Sequence, residues 1–249
     1  MDIICNPPRD SWQALSRRAL AEKAAELEAS VAGIIAEVAD GGDKALLDFE
    51  RRFTGATLDS LEVSAQELDE AETKVSPELR DAIEIAYRNI ASFHAAQLMK
   101  EPVMVETSPG VKCEQRAVAI DRVGLYIPGG NSPLFSTVLM LAVPARIAGC
   151  RDIILCTPAR ADGTVHPGIL YAARRAGVDR IFKTGGAQAI AAMAYGTESV
   201  PRVYKIFGPG NRYVMEAKQQ VARHNVAIDM PAGPSEVLVI ADDSANPEY

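Results

Sequence analysis

The stretch that most constrains the fold runs from residue 123 to residue 150. An apolar run breaks at Pro128-Gly129-Gly130, and apolar residues resume with helical spacing over 134–148. This order is typical of a strand, a glycine turn and a helix, which together open a βα unit. Such a turn leaves backbone N–H groups open at the helix start, where a phosphate can bind. Most Gly-Gly turns are only structural, so this turn alone does not assign a function.

The α/β pattern continues along the chain. Strands are predicted at 123–127, 153–156, 180–183 and 203–207, each followed by a helix, at 134–148, 167–176, 188–195 and up to about 224. This spacing predicts a parallel sheet with right-handed crossovers and helices on both faces. Ligands of such sheets bind outside the carboxyl ends of the strands. Glycines gather at those ends, at 129–130, 185–186 and 208–210.

In the first hundred residues, the sequence pattern predicts only helices. One helix should cover 12–39 and end at Gly41-Gly42, and a shorter one should follow over 43–53. Ser64 fits a capping box, and Ser76-Pro77 opens a helix to about residue 97 whose apolar positions, up to Phe93, predict one buried face. Residues 103–120 alternate around a Pro-Gly turn, which predicts a two-stranded hairpin.

Composition excludes several classes of protein. The chain has 249 residues, of which 48% are hydrophobic, and a net charge of −7, which argues against general nucleic-acid binding. No apolar run approaches the ~20 residues of a membrane span and no signal peptide is visible, so we expect a cytoplasmic protein without membrane contact. The four cysteines have no C-x-x-C spacing, and we predict no metal site and no nucleophilic cysteine. Cys150 and Cys156 fit small buried thiols.

The best partial match to a dinucleotide fingerprint is Gly208-Pro209-Gly210-Asn211, set between a strand and a helix. Tyr213 stands where the third glycine would be, and Pro209 removes one N–H donor, so a pyrophosphate could not be held in the usual Rossmann manner. The segment is therefore either a structural turn or a different nucleotide site. The chain has no G-x-x-x-x-G-K-[ST] loop.

The segment after the last helix, from Ala227 onward, is predicted to be a loop, and it carries Asp229, Ser235 and Glu236 among prolines and glycines. It fits either a cleft wall or a plain interdomain connection. An apolar strand is predicted next, at 237–241, and then the start of a helix. Because nothing follows that start, we expect a truncated chain.

Four segments together closely resemble bacterial histidinol dehydrogenases: VGLYIPGG at 123–130, GGAQAIAA at 185–192, KIFGPGN at 205–211 and IDMPAGPSE at 228–236. The resemblance implies oxidation of L-histidinol to L-histidine in two NAD-dependent steps through an aldehyde, the last steps of histidine biosynthesis. It implies a homodimer with zinc at each active site. Matched residue by residue, it implies that Tyr126, Gln188 and Asn211 contact NAD and that Ser235 contacts the substrate.

The resemblance also sets an expectation about length. Family members continue for roughly another domain beyond the position of Tyr249, and that part carries the zinc ligands, the Glu-His acid and base, and the segment exchanged between subunits. No catalytic or metal residue is therefore assigned within these 249 residues, and we expect the isolated chain to be inactive.

The expected fold class is α/β, with a helical N-terminal region followed by a parallel-sheet, incomplete Rossmann-like domain. The expected divisions are 1–102 (helical region), 103–121 (hairpin linker), 122–236 (NAD-binding domain) and 237–249 (start of a second α/β domain). Two alternatives to the enzyme stay open. One is a non-catalytic remnant that binds a nucleotide or nothing, and the other is a sugar- or nucleotide-binding α/β protein without redox chemistry.

Overall fold

A computed structural model describes residues 4–15, 24–130, 132–224, 226–231, 239–242 and 244–246. Its N-terminal region is helical, as predicted. A 3-10 turn, Arg9–Ser11, precedes the helices, which are α1 (Trp12–Leu15), α2 (Ala24–Phe53), α3 (Ala65–Lys74) and α4 (Pro77–Ala96).

The predicted break near residue 42 is a kink inside α2 rather than a gap between two helices. Gly42 alone leaves helical geometry there, with φ +54° and ψ −138°, and the helix resumes at once. Ser64 forms the predicted capping box with Glu67, and Ser76 caps α4 ahead of Pro77.

The prediction of one continuous buried face on α4 is wrong at its C-terminal end. Ile83 is buried, whereas the Phe93 side chain is 64% exposed and packs edge-on against the neighbouring His94 ring. Helix α5 packs against α4, but nothing in the described chain buries the last turn of α4. The hairpin prediction is confirmed: β1 (Val103–Ser108) pairs antiparallel with β2 (Val111–Gln115), and every residue of both strands is exposed.

The parallel sheet is confirmed and has one strand more than predicted. Its strands are β3 (Arg122–Tyr126), β4 (Asp152–Thr157), β5 (Arg180–Lys183), β6 (Lys205–Phe207) and β7 (Ala227–Ile228), in the spatial order β5-β4-β3-β6-β7. The connecting helices are α5 (Phe135–Ile147), α6 (Pro167–Arg175), α7 (Gly186–Tyr195) and α8 (Arg212–Ala222). The sequence predicts a loop from Ala227 onward, so β7 corrects that prediction.

Strand order places the ligand crevice. From β3 the chain builds outward to β4 and β5, then returns to the other side of β3 with β6 and β7. The order therefore reverses between β3 and β6, and in doubly wound sheets ligands bind at the carboxyl ends of the strands beside that point. The turns after β3, β5 and β6 are the glycine turns that the sequence marks.

Helices cover both faces of the sheet. On one face, helices α2, α7 and α8 form an apolar core with alternate strand residues such as Ile154, Phe182 and Ile206. On the other face, helices α3, α4, α5 and α6 form a second core with Leu125 and Leu155. The N-terminal helices thus share both cores with the sheet. The division of the chain at residues 102, 121 and 236 stays a prediction.

The predicted strand at 237–241 falls mostly outside the described residues. Val239 and Ile240, which are described, are 77% and 87% exposed and belong to no strand. Ser235 also lies outside the described residues. No helix in the described part of the chain is long and apolar enough to cross a membrane.

Candidate functional site

A cleft lies beside the carboxyl ends of the strands and has two cavities. The first, of about 460 Å³, is lined on the α7 and α8 side by Gly185, Gly186, Gln188, Asn211 and Tyr213. The second, of about 660 Å³, lies along α6 and is lined by Gly129, Gly130, Arg160 and His166. Both are bounded by Phe53, Thr54 and Pro158, so they are two parts of one cleft.

Tyr126, the last residue of β3, lies behind the wall of this cleft: it lines neither cavity, but it bonds to Gly186, which lines the first. Its side chain is 3% exposed, and its hydroxyl oxygen accepts the N–H of Gly186 at 3.1 Å. Burial raises the pKa of the phenol to about 12, and the nearby Glu50 carboxylate adds to the effect. The hydroxyl therefore keeps its proton at neutral pH and can donate it in a hydrogen bond.

Glu50 is a buried carboxylate that no sequence pattern singles out. It lies in α2, is fully buried, and accepts the N–H of Gly185 at 2.9 Å through Oε1. Thr54 donates to it at 3.5 Å. Burial raises the pKa of this carboxyl group, and its hydrogen bonds oppose the shift. Glu50 thereby joins the N-terminal helices to the start of α7.

Gln188 belongs to the same polar cluster. It is 2% exposed, and its Nε2 donates to the Oε1 of Glu50 at 3.4 Å. Its side-chain oxygen lies close to Gly186, where a Cβ would come within 2.5 Å of it. Gly186 also has φ +62°, so this position requires glycine for both conformation and space.

Asn211 is exposed and caps α8. Its Oδ1 accepts the N–H groups of Tyr213 and Val214 at 3.0 and 3.1 Å. Because the oxygen is used in the cap, the amide NH₂ is the part of the side chain that can donate to a ligand. Gln188 and Asn211 line the same cavity, so the structure brings these two predicted cofactor residues together.

The turn after β6 lies very close to the end of the neighbouring strand β3. Gly208 has φ +134°, and a Cβ there would overlap the carbonyl oxygen of Tyr126. The glycine is thus required for a close approach of two backbones. Its N–H donates to the carboxylate of Asp229 at 2.8 Å, and its carbonyl accepts from Lys218 at 2.9 Å.

The first backbone N–H groups of α7 and α8 have acceptors within the protein. At α7, Gly185 donates to Glu50 and Gly186 to Tyr126. At α8, the Asn211 side chain takes both N–H groups that a cap can take. Helix α5 differs, because its N-cap residue Leu134 provides no side-chain acceptor. The protein's own side chains therefore occupy the positions at α7 and α8 where an anion could bind.

No metal-binding cluster is present in the described residues: no three or more His, Cys, Asp or Glu side chains come together. Cys150 and Cys156 are buried, as predicted, and burial raises the pKa of both thiols. A raised pKa keeps a thiol protonated and a poor nucleophile.

Comparison with known proteins gives the family. The sequence model of histidinol dehydrogenase matches residues 17–249. The chain belongs to the histidinol dehydrogenase family. A Bacteroides fragilis histidinol dehydrogenase is 57% identical over all 249 residues, which make up 58% of that relative, and one from Xanthomonas euvesicatoria is 58% identical over 221 residues, 88% of this chain and 51% of the relative.

The fold agrees with this assignment. The crystal structure of a histidinol dehydrogenase from Elizabethkingia anophelis is 48% identical, covers 98% of this chain with a TM-score of 0.87, and is matched over 56% of its own length. The chain thus spans a little more than half the length of the relatives it matches. The expected α/β fold, a helical N-terminal region followed by a parallel sheet, is confirmed.

Proposed function

We propose that the whole protein oxidises L-histidinol to L-histidine with NAD, by way of L-histidinal, as the final steps of histidine biosynthesis. The observation that carries the proposal is the cleft at the switch point of the sheet in a chain of this family: Gln188 and Asn211 line it, and Tyr126 bonds to Gly186 in its wall. NAD supplies the hydride acceptor when it is bound.

The described residues fit a dinucleotide. A cleft with two cavities that meet at Phe53, Thr54 and Pro158 suits a ligand made of two nucleosides joined by a diphosphate. We propose that Asn211 donates its amide to the cofactor and that the Tyr126 hydroxyl, whose oxygen already accepts the Gly186 N–H, donates its one hydrogen to the cofactor. Gln188, held by Glu50, borders the same cavity. The first N–H groups of α7 and α8 already have acceptors within the protein, so the proposed donors to the cofactor are side chains and not these backbone groups.

Zinc does not fit the described residues, which offer no set of ligands for it. We propose that zinc and the catalytic acid and base are supplied by the part of the family's length that this chain does not span. Contact of Ser235 with L-histidinol and a homodimeric assembly are likewise proposals that rest on the family.

Joining the chain to the remaining C-terminal part of the Bacteroides fragilis relative tests this function. The joined protein should reduce NAD when L-histidinol is added, as measured by NADH absorbance, and the product should be L-histidine by chromatography. The 249-residue chain alone should show no turnover. A joined protein that is folded, binds zinc and still leaves L-histidinol unchanged would contradict the proposal.

The non-catalytic alternative makes a different prediction. A remnant that retains only the cofactor cleft would bind NAD in the 249-residue chain, with Asn211 and Gln188 variants binding more weakly, while the joined protein would remain inactive. Measuring NAD binding and turnover on both proteins therefore separates the two.

A further inference from the structure

Lys218 is a buried lysine in the middle of α8. It is 1% exposed, and its ammonium group donates to the carbonyl oxygen of Gly208 at 2.9 Å and pairs with the Asp229 carboxylate. Burying an ammonium ion costs several kcal/mol of desolvation, and an apolar residue of the same length often serves stability equally well. The ion pair therefore calls for a role beyond filling space.

The pair holds both backbone groups of one residue. While Lys218 binds the carbonyl of Gly208, the Oδ2 of Asp229 accepts the N–H of the same glycine at 2.8 Å. Asp229 is itself fixed, because it follows β7 directly and its own N–H donates to the Ile206 carbonyl at 3.2 Å. The conformation of Gly208 is thus set from α8 and from the edge strand at once.

Gly208 begins the loop that carries Asn211. It also makes the close contact with the Tyr126 carbonyl, so its position fixes the distance between the ends of β3 and β6. We propose that Lys218 and Asp229 are a positioning pair for the cofactor: they hold the 208–211 loop against β3, so that the Asn211 amide faces the cleft at a fixed distance from Tyr126. This inference rests on the proposed NAD site.

The polar groups of Lys218 and Asp229 can fix the position of Gly208 because their hydrogen bonds to it are directional. A methionine at position 218 would fill the same volume but could not bind the Gly208 carbonyl. An asparagine at 229 could still accept the Gly208 N–H. The double variant K218M/D229N therefore removes both charges together and leaves neither one buried alone, which keeps the fold while freeing the Gly208 carbonyl.

The test compares K218M, K218M/D229N and a control, R175M/E84Q. The control removes the ion pair of Arg175 and Glu84, which joins α6 to α4 by two hydrogen bonds of 2.6 and 2.9 Å outside the cleft lining. All measurements use the joined protein. Titration calorimetry gives its NAD affinity, and hydrogen exchange gives the opening of the backbone in peptides that cover 206–214. Turnover assays give KM for NAD and for L-histidinol.

We expect both Lys218 variants to bind NAD about tenfold more weakly, because a loosened 208–211 loop weakens the bond of the Asn211 amide to the cofactor, and weakening of one such bond to a charged group is of that size. KM for L-histidinol should change by less than about twofold, because no contact with that substrate is removed. Amide exchange at 208–212 should become faster. The control should match the original protein in NAD affinity, amide exchange and KM.

Unchanged NAD affinity in a folded K218M/D229N, with or without faster exchange, would overturn the inference and leave the pair a structural one. Equal weakening for NAD and L-histidinol would also overturn it. If the original joined protein binds no NAD, the proposed function is wrong, whatever the Lys218 variants do. In that case amide exchange still tests the positioning role separately, and unchanged exchange of the 208–211 loop in K218M would reject it.

Discussion

At the scale of single residues, Asn211 combines two tasks that one side-chain substitution can separate. Its oxygen caps α8, and its amide is the group proposed to donate to NAD. Asn211→Ala should lose about 1 kcal/mol of stability from the cap and about 1.5–3 kcal/mol of NAD binding if the amide bonds a charged group.

Asn211→Asp distinguishes the two effects. A carboxylate still caps the helix, and its charge is favourable at a helix N-terminus, so the melting temperature should be kept. The same charge repels a diphosphate, so NAD should bind more weakly than in the original protein. NAD affinity that is unchanged in the Asp variant would return this residue to a purely structural cap.

Glu50 makes a prediction about pH. Its pKa in the folded protein is raised above 4.5 by burial. Between pH 4.5 and the raised value, the folded protein binds a proton that the unfolded chain has released, so the free energy of unfolding should fall as pH rises through this window. Glu50→Gln should remove that fall, which urea unfolding at several pH values would measure.

A control for this effect is Glu70→Gln. Glu70 is exposed, and its hydrogen bond with Lys74 lowers the pKa of its carboxyl group, so it does not contribute a fall of this sign. If the Glu50→Gln protein and the original show parallel stability curves from pH 4.5 upward, the carboxylate of Glu50 is better solvated than its burial indicates.

At the scale of elements, two of the three glycines in α2 are in opposite situations. Gly42 has φ +54°, and a Cβ there would collide with the Glu198 carboxylate, which also accepts the N–H of Asp43. Gly33 lies in the regular part of the helix, and no atom lies within 4 Å of the place that a Cβ would take. The kink at Gly42 lets Asp43 reach Thr197 and Ser199 before β6.

Two alanine substitutions in the same helix should therefore change stability in opposite directions. Gly42→Ala should destabilise the fold by about 1–3 kcal/mol because of backbone strain. Gly33→Ala should stabilise it by about 0.5–1 kcal/mol, since alanine loses less backbone entropy in a helix. Urea unfolding measures both, and a stabilising Gly42→Ala would mean that the helix can straighten at no cost.

The sequence predicts elements well where a pattern repeats, and poorly where position depends on distant partners. The helices, the hairpin and four strands follow from periodicity, caps and glycines. The two-residue strand β7 is too short to show a period. Glu50 lies among ordinary polar helix residues, and its partner Gly185 is 135 positions away. Lys218 fits a surface position in sequence, and only the return of Asp229 beside it accounts for its burial.

At the scale of the whole molecule, the described chain exposes apolar surface at the hairpin, beside α5 and at residues 239–240. Both strands of the hairpin are exposed and pair with no other strand in the described chain. A groove of about 470 Å³ runs beside α5, where Met140 is 60% exposed. Val239 and Ile240 are exposed as well. A lone two-stranded hairpin is marginal in water, and its edges can pair with other chains.

The 249-residue chain should therefore self-associate, and the hairpin and the groove should contribute more to this association than residues 232–249 do. Met104→Lys and Met140→Lys each place a charge on a side chain that is at least 60% exposed, so they should keep the folded monomer while weakening association. Tyr204→Lys is the matched control, because that side chain is 63% exposed and belongs to neither surface. Sedimentation velocity at several concentrations gives the comparison. If ending the chain at residue 231 restores the monomer while both lysine variants still associate, residues 232–249 drive association and the expectation for the hairpin and the groove is wrong.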